Sequence, residues 1–496
     1  MFPSLGIDAS TALLLCLAIF LALSFEFVNG FHDTANAVAT VIYTHTLTPN
    51  QAVAWSGLWN LIGVLTSSGA VAFSIIALLP VELVIRVGSG AGFAMVFSLL
   101  FSAIIWNVGT WYLGLPASSS HTLVGSIVGV GLMNSLLSPT SAFGEGVNWA
   151  KLVDTVQALV FSPLIGFVVA GLLVLLMKMV LRHRQELFSA PEGRTPPPWI
   201  RALLVLTCTG VSFAHGSNDG QKGMGLIVLI LVGIVPAAFA LNLSTSSDTL
   251  HRIAGAATSL SSTLEALPSA HVSIVSADAA EKQLTEYLKQ PQISLTTIPS
   301  LAVVNMRVRD RLTNINSLST MPAAERRALR MEVYLVAETL SKMQKNHQLP
   351  AMVDSAFAAG YQKVLKQLTD YIPLWVKLAV SIALPMGTMI GWQRIVRTVG
   401  EKIGETPMTY AQGASAELVA TVTISAADLF GLPVSTTHIL SSGVAGTMVA
   451  VGSGLQRETA RNILLAWILT LPVCVALGAA LFAGTLMFVL HTFGMQ

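Results

Sequence analysis

The sequence predicts an all-α polytopic membrane protein, on three observations: how much of it is apolar, how the apolar residues are grouped, and where the few charges fall. Hydrophobic residues make up 53% of the 496, and Asp, Glu, Lys and Arg together only 10%. With a mean hydropathy of +0.70, so much apolar surface has no soluble core to enter, and lipid is its solvent. Runs long enough to cross about 30 Å of hydrocarbon fall near 10–28, 52–79, 91–113, 116–136 and 152–180. A second set runs near 200–214 with 223–243, then 371–392, 410–430, 433–451 and 460–490, for about ten to twelve membrane segments. Between 245 and 370 no run approaches membrane length, and AAEKQLTEYLKQ and AERRALRMEVYLVAETLSKMQK space apolar residues by three and four, as amphipathic helices do.

Five stretches follow. Residues 1–181 form a first transmembrane repeat, 182–200 a basic linker, 201–244 the start of a second repeat, 245–370 a soluble helical insert, and 371–496 the remainder of the second repeat. Arg182, Arg184, Arg194 and Arg201, then Arg394, Arg397 and Lys402, then Arg457 and Arg461 mark the cytoplasmic side by the positive-inside rule, with Arg86 dissenting. Ten crossings would then place both termini outside. The excess of 27 basic over 25 acidic residues gives a net charge of only +2, which excludes a nucleic-acid partner read from charge. Cys16, Cys208 and Cys474 lie far apart in apolar runs and suit neither a disulfide framework nor a metal spacing. No basic region precedes the first apolar stretch, so no removable signal peptide is expected.

Two motif pairs carry the chemistry. GFHDTANA at 30–37 and GSNDGQKG at 216–223 interrupt apolar runs and align Asp33 with Asp219; GLPASSSHTLVGS at 114–126 and GLPVSTTHILSSG at 431–443 align Pro116 with Pro433. The chain therefore reads as a duplication with one insertion. If each half holds five crossings, the halves enter the membrane from opposite sides, giving an inverted-repeat secondary transporter with broken helices and half-helix hairpins, whose cargo binds where the breaks meet at midplane. Gly30, Gly216 and Gly220 would loosen the backbone at the breaks.

Phosphate seeks backbone N–H groups at helix starts and uncharged hydroxyl donors. With Pro in the first helical turn, Ser118, Ser119 and Ser120 of one half-helix and Ser435, Thr436 and Thr437 of the other would supply them. Asp33 and Asp219, with Asn36 and Asn218, offer hard oxygen to a metal cation such as sodium or magnesium, or carry protons, and the cation would screen the carboxylates from phosphate. His32, His121, His215 and His438, four of the ten His residues, fall in these motifs and suit proton handling. A lone Ser-rich turn is ordinarily a packing feature; its duplication with a shared Gly-Leu-Pro and His argues otherwise. Lys222 could simply neutralise Asp219, Glu26 and Glu417 read as inward-facing, Asp428 as solvated, and the Met and Trp residues as packing or interface anchors.

At GFHDTANAVAT, HGSNDGQKGMG and GLPVSTTH the sequence resembles the inorganic phosphate transporter (PiT) family, most closely its bacterial low-affinity members. The resemblance covers essentially all of the membrane-embedded chain. It implies low-affinity phosphate uptake by cation-coupled symport across a bacterial inner membrane, with no cofactor and no enzymatic activity. Members use sodium or protons, and the bacterial subgroup accepts neutral metal–phosphate complexes. Where many relatives have Asn before the first Asp this chain has His32, and where sodium-coupled relatives carry an acid in the second span Asn60 stands, with Glu417 retained in the matching half; both departures favour protons. The alternatives are sodium-coupled symport and a passive anion channel. A homodimer is compatible with the sequence, which does not specify oligomeric state.

Overall fold

The computed structural model describes residues 7–33, 35–79, 89–138, 143–144, 147–191, 193, 195–266, 276–289 and 291–493, and, within these, not the side chains of 35, 36, 236, 237, 289 and 490–493. Arg86, Arg194 and the Asn36 side chain lie outside the described set. The described residues are helical almost throughout, and they divide into two compact units.

One unit holds Met1–Ala12 and Leu231–Tyr371. Its five helices, Ser247–Glu265, Ala277–Lys289, Thr297–Thr313, Ala323–Lys345 and Ser355–Thr369, bury a core of their own that includes Leu250, Leu301, Val333 and Leu365. Each amphipathic helix turns its apolar stripe to that core. Asn305 donates to the Ala257 carbonyl at 2.8 Å and accepts from the Tyr361 hydroxyl at 2.8 Å, so a buried amide is paired on both sides. The buried Glu332 carboxylate lies 2.8 Å from Arg307 and 2.9 Å from Arg311. None of these helices is among those long and apolar enough to cross a membrane.

The other unit comprises Leu13–Ile230 and Ile372–Gln496. Its helices are α1 (Ala9–Asp33), α2 (Ala35–Tyr43), α3 (Pro49–Thr66), α4 (Ala70–Ile76), α5 (Gly90–Tyr112), α6 (Ser119–Leu137), α7 (Trp149–Val180) and α8 (Pro198–Ile234). After residue 371 come α9 (Leu374–Gly391), α10 (Tyr410–Leu429), α11 (Thr436–Val451) and α12 (Arg457–Phe493). Among the described residues seven helical stretches have the length and hydropathy to span a membrane, or eight with α3 and α4, which meet at a 74° bend. That is fewer than the ten to twelve segments the apolar runs suggest. Two of the expected segments fall outside that set: α11, only 16 residues long, and α10, 20 residues long but not apolar enough.

The continuity of α8 corrects the expected break at 216–223. The polar residues there bond sideways to other helices rather than rescuing freed backbone, and the glycines serve close approach. A Cβ on Gly216 would sit 2.2 Å from the Asn60 carbonyl oxygen of α3, and one on Gly63 of α3 would sit 2.3 Å from the Phe213 carbonyl of α8. A second contact repeats this one residue for residue. A Cβ on Gly30 of α1 would lie 1.9 Å from the Leu384 carbonyl of α9, and one on Gly387 of α9 would lie 1.8 Å from the Phe27 carbonyl of α1. Phe27 and Gly30 stand before Asp33 as Phe213 and Gly216 stand before Asp219. The same close contact thus recurs at the two aligned Asp-bearing motifs.

Two hairpins carry the second motif pair: α5 and α6 with the turn at Gly114, and α10 and α11 with the turn at Gly431. Both glycines take positive φ, 68° and 63°, which L side chains disfavour. Ser118 and Ser435 are the N-caps, each hydroxyl oxygen accepting the third helical amide, His121 or His438, at 3.1 Å. Pro116 and Pro433 therefore precede the caps rather than occupying the first turn, because the caps take the serines. The long helices exchange partners: α12 packs on α5 and α6, and α7 on α10 and α11.

Gly387→Ala should sharply reduce the yield of monodisperse protein in detergent, because the added methyl meets backbone that cannot rotate away. Gly109→Ala, whose Cβ meets nothing within 4 Å, should raise helix stability by about 0.5–1 kcal/mol. Equal yields of the two variants would refute the close-approach reading.

Candidate functional site

The hairpin starts and the Asp-bearing helices α1 and α8 come together in one buried cluster. Asp33 ends α1, and its carboxylate accepts hydrogen bonds from Ser119 of α6 and from Thr437 of α11, the latter at 2.6 Å. The two hydroxyls come from different halves and reach the two oxygens of one carboxylate. Ser119 Oγ also lies 2.7 Å from Asn29 Oδ1, which competes with Asp33 for its single proton. His32 Nδ1 lies 3.0 Å from Asp33 Oδ1, and its Nε2 lies 3.1 Å from the Thr110 hydroxyl of α5. Asp33 is 3% exposed and His32 is fully buried, so the whole arrangement is sealed from bulk solvent.

Asp219, near the middle of α8, has different company. Its Oδ1 pairs with Lys222 Nζ at 2.8 Å, one helical turn on. Its Oδ2 lies 3.4 Å from His215 Nε2 and accepts from Thr436 of α11 at 3.4 Å. His215 is fixed on its other side, with Nδ1 2.6 Å from Asn60 Oδ1. Asp219, Lys222 and Asn218 are fully buried. Among the described residues, Asp33, His215 and Asp219 are the group that could hold a metal ion, with one ligand atom from each lying within 4.8 Å of the others. Two carboxylate oxygens and an imidazole nitrogen suit a cation of intermediate hardness as well as a hard one.

Of the six hydroxyls expected to cradle an anion, Ser119, Thr436 and Thr437 face the two carboxylates. Ser118 and Ser435 act as helix caps, and Ser120 donates to the Val434 carbonyl of the opposite hairpin at 2.6 Å. Asn218 donates to the Leu432 carbonyl at 3.2 Å, while its Oδ1 has no hydrogen-bond partner among the described residues. His121 and His438 sit one turn inside their helices with ring centroids 4.7 Å apart. Glu417 is held separately, accepting from Thr207 of α8 at 2.5 Å and from Thr40 of α2. Its supposed correspondence with Asn60 is corrected: the glycine contacts pair Asn60 of α3 with Leu384 of α9, whereas Glu417 lies on α10. Asp428, expected to be solvated, is half-buried and accepts from Ser217 at 2.6 Å and from Gln221 at 2.5 Å. Glu26 is fully buried and accepts the Gly223 amide at 2.6 Å.

Sequence reasoning missed Asn29, one residue before the first motif, and Thr110, four before the Gly114 turn, because neither residue type recurs at the aligned position of the other half. The two carboxylates also differ in a way the motif alignment hides. Asp219→Asn leaves Lys222 buried without its nearest counter-charge, at a cost of about 3–5 kcal/mol, whereas Asp33→Asn leaves the 2.8 Å Lys222–Asp219 pair in place. Thermal unfolding in detergent should therefore show Asp219→Asn markedly less stable than Asp33→Asn, with Lys222→Met added to Asp219→Asn recovering most of the loss. Equal stability of the two single variants would show that Lys222 does not depend on Asp219.

Residues 29–478 match the sequence profile of the phosphate transporter family. The chain is 41% identical over 502 residues to the low-affinity inorganic phosphate transporter PitB of Escherichia coli K12, covering 96% of this chain and 97% of that protein. It is 41% identical over 508 residues to PitA of the same strain, covering 97% and 99%. It is also similar to the low-affinity inorganic phosphate transporter of Buchnera aphidicola from Acyrthosiphon pisum, at 40% identity over 485 residues, covering 96% and 97%. Among solved structures a sodium-dependent phosphate transporter has the same fold, with a TM-score of 0.52 at 19% identity over 95% of this chain and 98% of that one. By its matched length and its relatives, this membrane-embedded chain belongs to the phosphate transporter family.

Proposed function

We propose that the chain takes up inorganic phosphate with low affinity by symport with a cation, a proton in the first instance, as a multi-pass protein of a bacterial inner membrane. The observation that carries this reading is the convergence of Ser119 and Thr437, from two hairpins, on the carboxylate of Asp33. A phosphate entering between those helix starts meets hydroxyl donors and the positive ends of α6 and α11. It also meets Asp33 and Asp219, which repel it. Lys222 offsets the charge of Asp219, and the remaining negative charge beside the anion calls for positive charge that enters with it. Either a proton neutralises a carboxylate, which can then donate to a phosphate oxygen, or a cation bridges the two.

Coupling follows from that requirement. His32, placed against Asp33, and His215, placed against Asp219, supply proton-carrying groups beside each acid. The trio of Asp33, His215 and Asp219 gives a divalent metal travelling with phosphate a place to be held. Of the six hydroxyls, Ser119, Thr436 and Thr437 are the proposed phosphate contacts, while Ser118, Ser120 and Ser435 shape the helix starts. If the halves are inverted, rocking of one against the other exposes this site to each side in turn.

Radiolabelled phosphate uptake into proteoliposomes, with an imposed inward proton gradient in sodium-free buffer, is the test. Accumulation above the external concentration is expected. Strict dependence on sodium would replace the proton by sodium, and mere equilibration would mean a passive channel. Ser119→Ala should weaken phosphate binding by about 1–3 kcal/mol, the cost of an unpaired buried acceptor, read as a rise in the half-saturating concentration.

A further inference from the structure

Both hairpin starts meet at one side chain that neither motif contains. Trp467 of α12 donates its indole N–H to the Pro116 carbonyl in the first hairpin's turn at 2.8 Å. Its ring stacks on His438 in the first turn of the second half-helix, with centroids 4.0 Å apart and planes inclined by 26°. His438 in turn faces His121 of the first half-helix. One indole thus grips the turn of one hairpin by its edge and the helix start of the other by its face.

We propose that Trp467 is a positioning residue for phosphate, setting the register of the two hydroxyl-bearing helix starts. The inference rests on the phosphate-transport reading above. Thr437 immediately precedes His438, and Ser119 follows Pro116 by three residues. A shift of Pro116 relative to His438 is therefore a shift of Ser119 relative to Thr437. Those two hydroxyls address the two oxygens of one carboxylate, an arrangement that tolerates little sliding because a hydrogen bond weakens steeply with distance and angle. Ser120, donating to Val434, adds a direct stitch between the same two turns but fixes neither Pro116 nor His438.

The tie is not part of the duplication. A Cβ on Gly129 would meet the Val475 carbonyl of α12, and one on Gly446 would meet the Phe167 carbonyl of α7. That pairing of Val475 with Phe167 puts Leu159 of α7 in the place that Trp467 holds on α12. Leucine has no N–H to give and no ring to stack. Only one half carries the clamp, as a device for joining the two hairpins requires.

The test is phosphate uptake by full-length protein in proteoliposomes, with KM and maximal rate per reconstituted molecule measured separately for wild type, Trp467→Phe and Trp467→Leu, and with melting temperature recorded for each. Trp467→Phe keeps a ring against His438 and removes the N–H, so KM should rise about threefold to tenfold, the range expected for one lost hydrogen bond, with the maximal rate within about twofold of wild type. Trp467→Leu, which also loses the stack, should raise KM further. A side chain that merely supports folding would lower maximal rate and melting temperature at unchanged KM, and that result overturns the proposal, as does an unchanged KM in both variants. If wild type shows no saturable phosphate uptake, the transport reading itself fails, and the role of Trp467 falls with it.

Discussion

Everything in the candidate site follows from the burial of two carboxylates, one from each half of a duplicated chain, in a place water does not reach. An isolated buried carboxylate is strongly disfavoured, and two within 4.8 Å of each other are worse. The molecule compensates them differently. Asp33 accepts from two hydroxyls and lies against an imidazole, partners that are neutral or switchable. Asp219 has a permanent cation in Lys222. One acid is thus committed to the structure while the other stays open to a change of charge, which is the asymmetry a coupled carrier needs.

The surrounding fold serves to bring those acids together. α1 and α8 approach α9 and α3 so closely that a methyl group cannot stand between them, and the same two-glycine contact occurs at both crossings. The hairpins are then backed by long helices exchanged between halves, α12 behind the first and α7 behind the second. Small residues at such crossings let backbones meet where lipid offers no hydrophobic drive for association. The consequence for function is rigidity around the acids, because backbone-to-backbone contacts have no side-chain rotamers through which to yield.

Much of this is legible in the sequence, and what is not has a physical reason. The duplicated motifs carry Asp33 with Asp219 and the paired hydroxyl clusters, because repetition separates a site from the polar background of packed helices. The polar stretch at 216–223 misleads, since Gly, Asn and Asp signal a break in isolation. In the folded chain Gln221 and Ser217 reach Asp428, Asn218 reaches Leu432, and α8 stays whole. The match of Asn60 with Glu417 fails because it compares acids by type, whereas helix packing sets Asn60 against Leu384. Thr110, Asn29 and Trp467 are silent in sequence, as their partners lie far along the chain and their residue types are ordinary in membrane helices.

The central claim is that phosphate and its coupling cation share one electrostatic site, so that neither binds well without the other. Equilibrium binding of radiolabelled phosphate to purified protein, with pH, sodium and magnesium varied one at a time, measures this most directly, because linkage requires that whichever cation raises phosphate affinity is itself bound more tightly, by the same factor, when phosphate is present. The account predicts that at least one of these cations, the proton first, changes phosphate affinity by about tenfold or more, as neutralising a charge beside a buried anion does. Phosphate affinity indifferent to all three would contradict it.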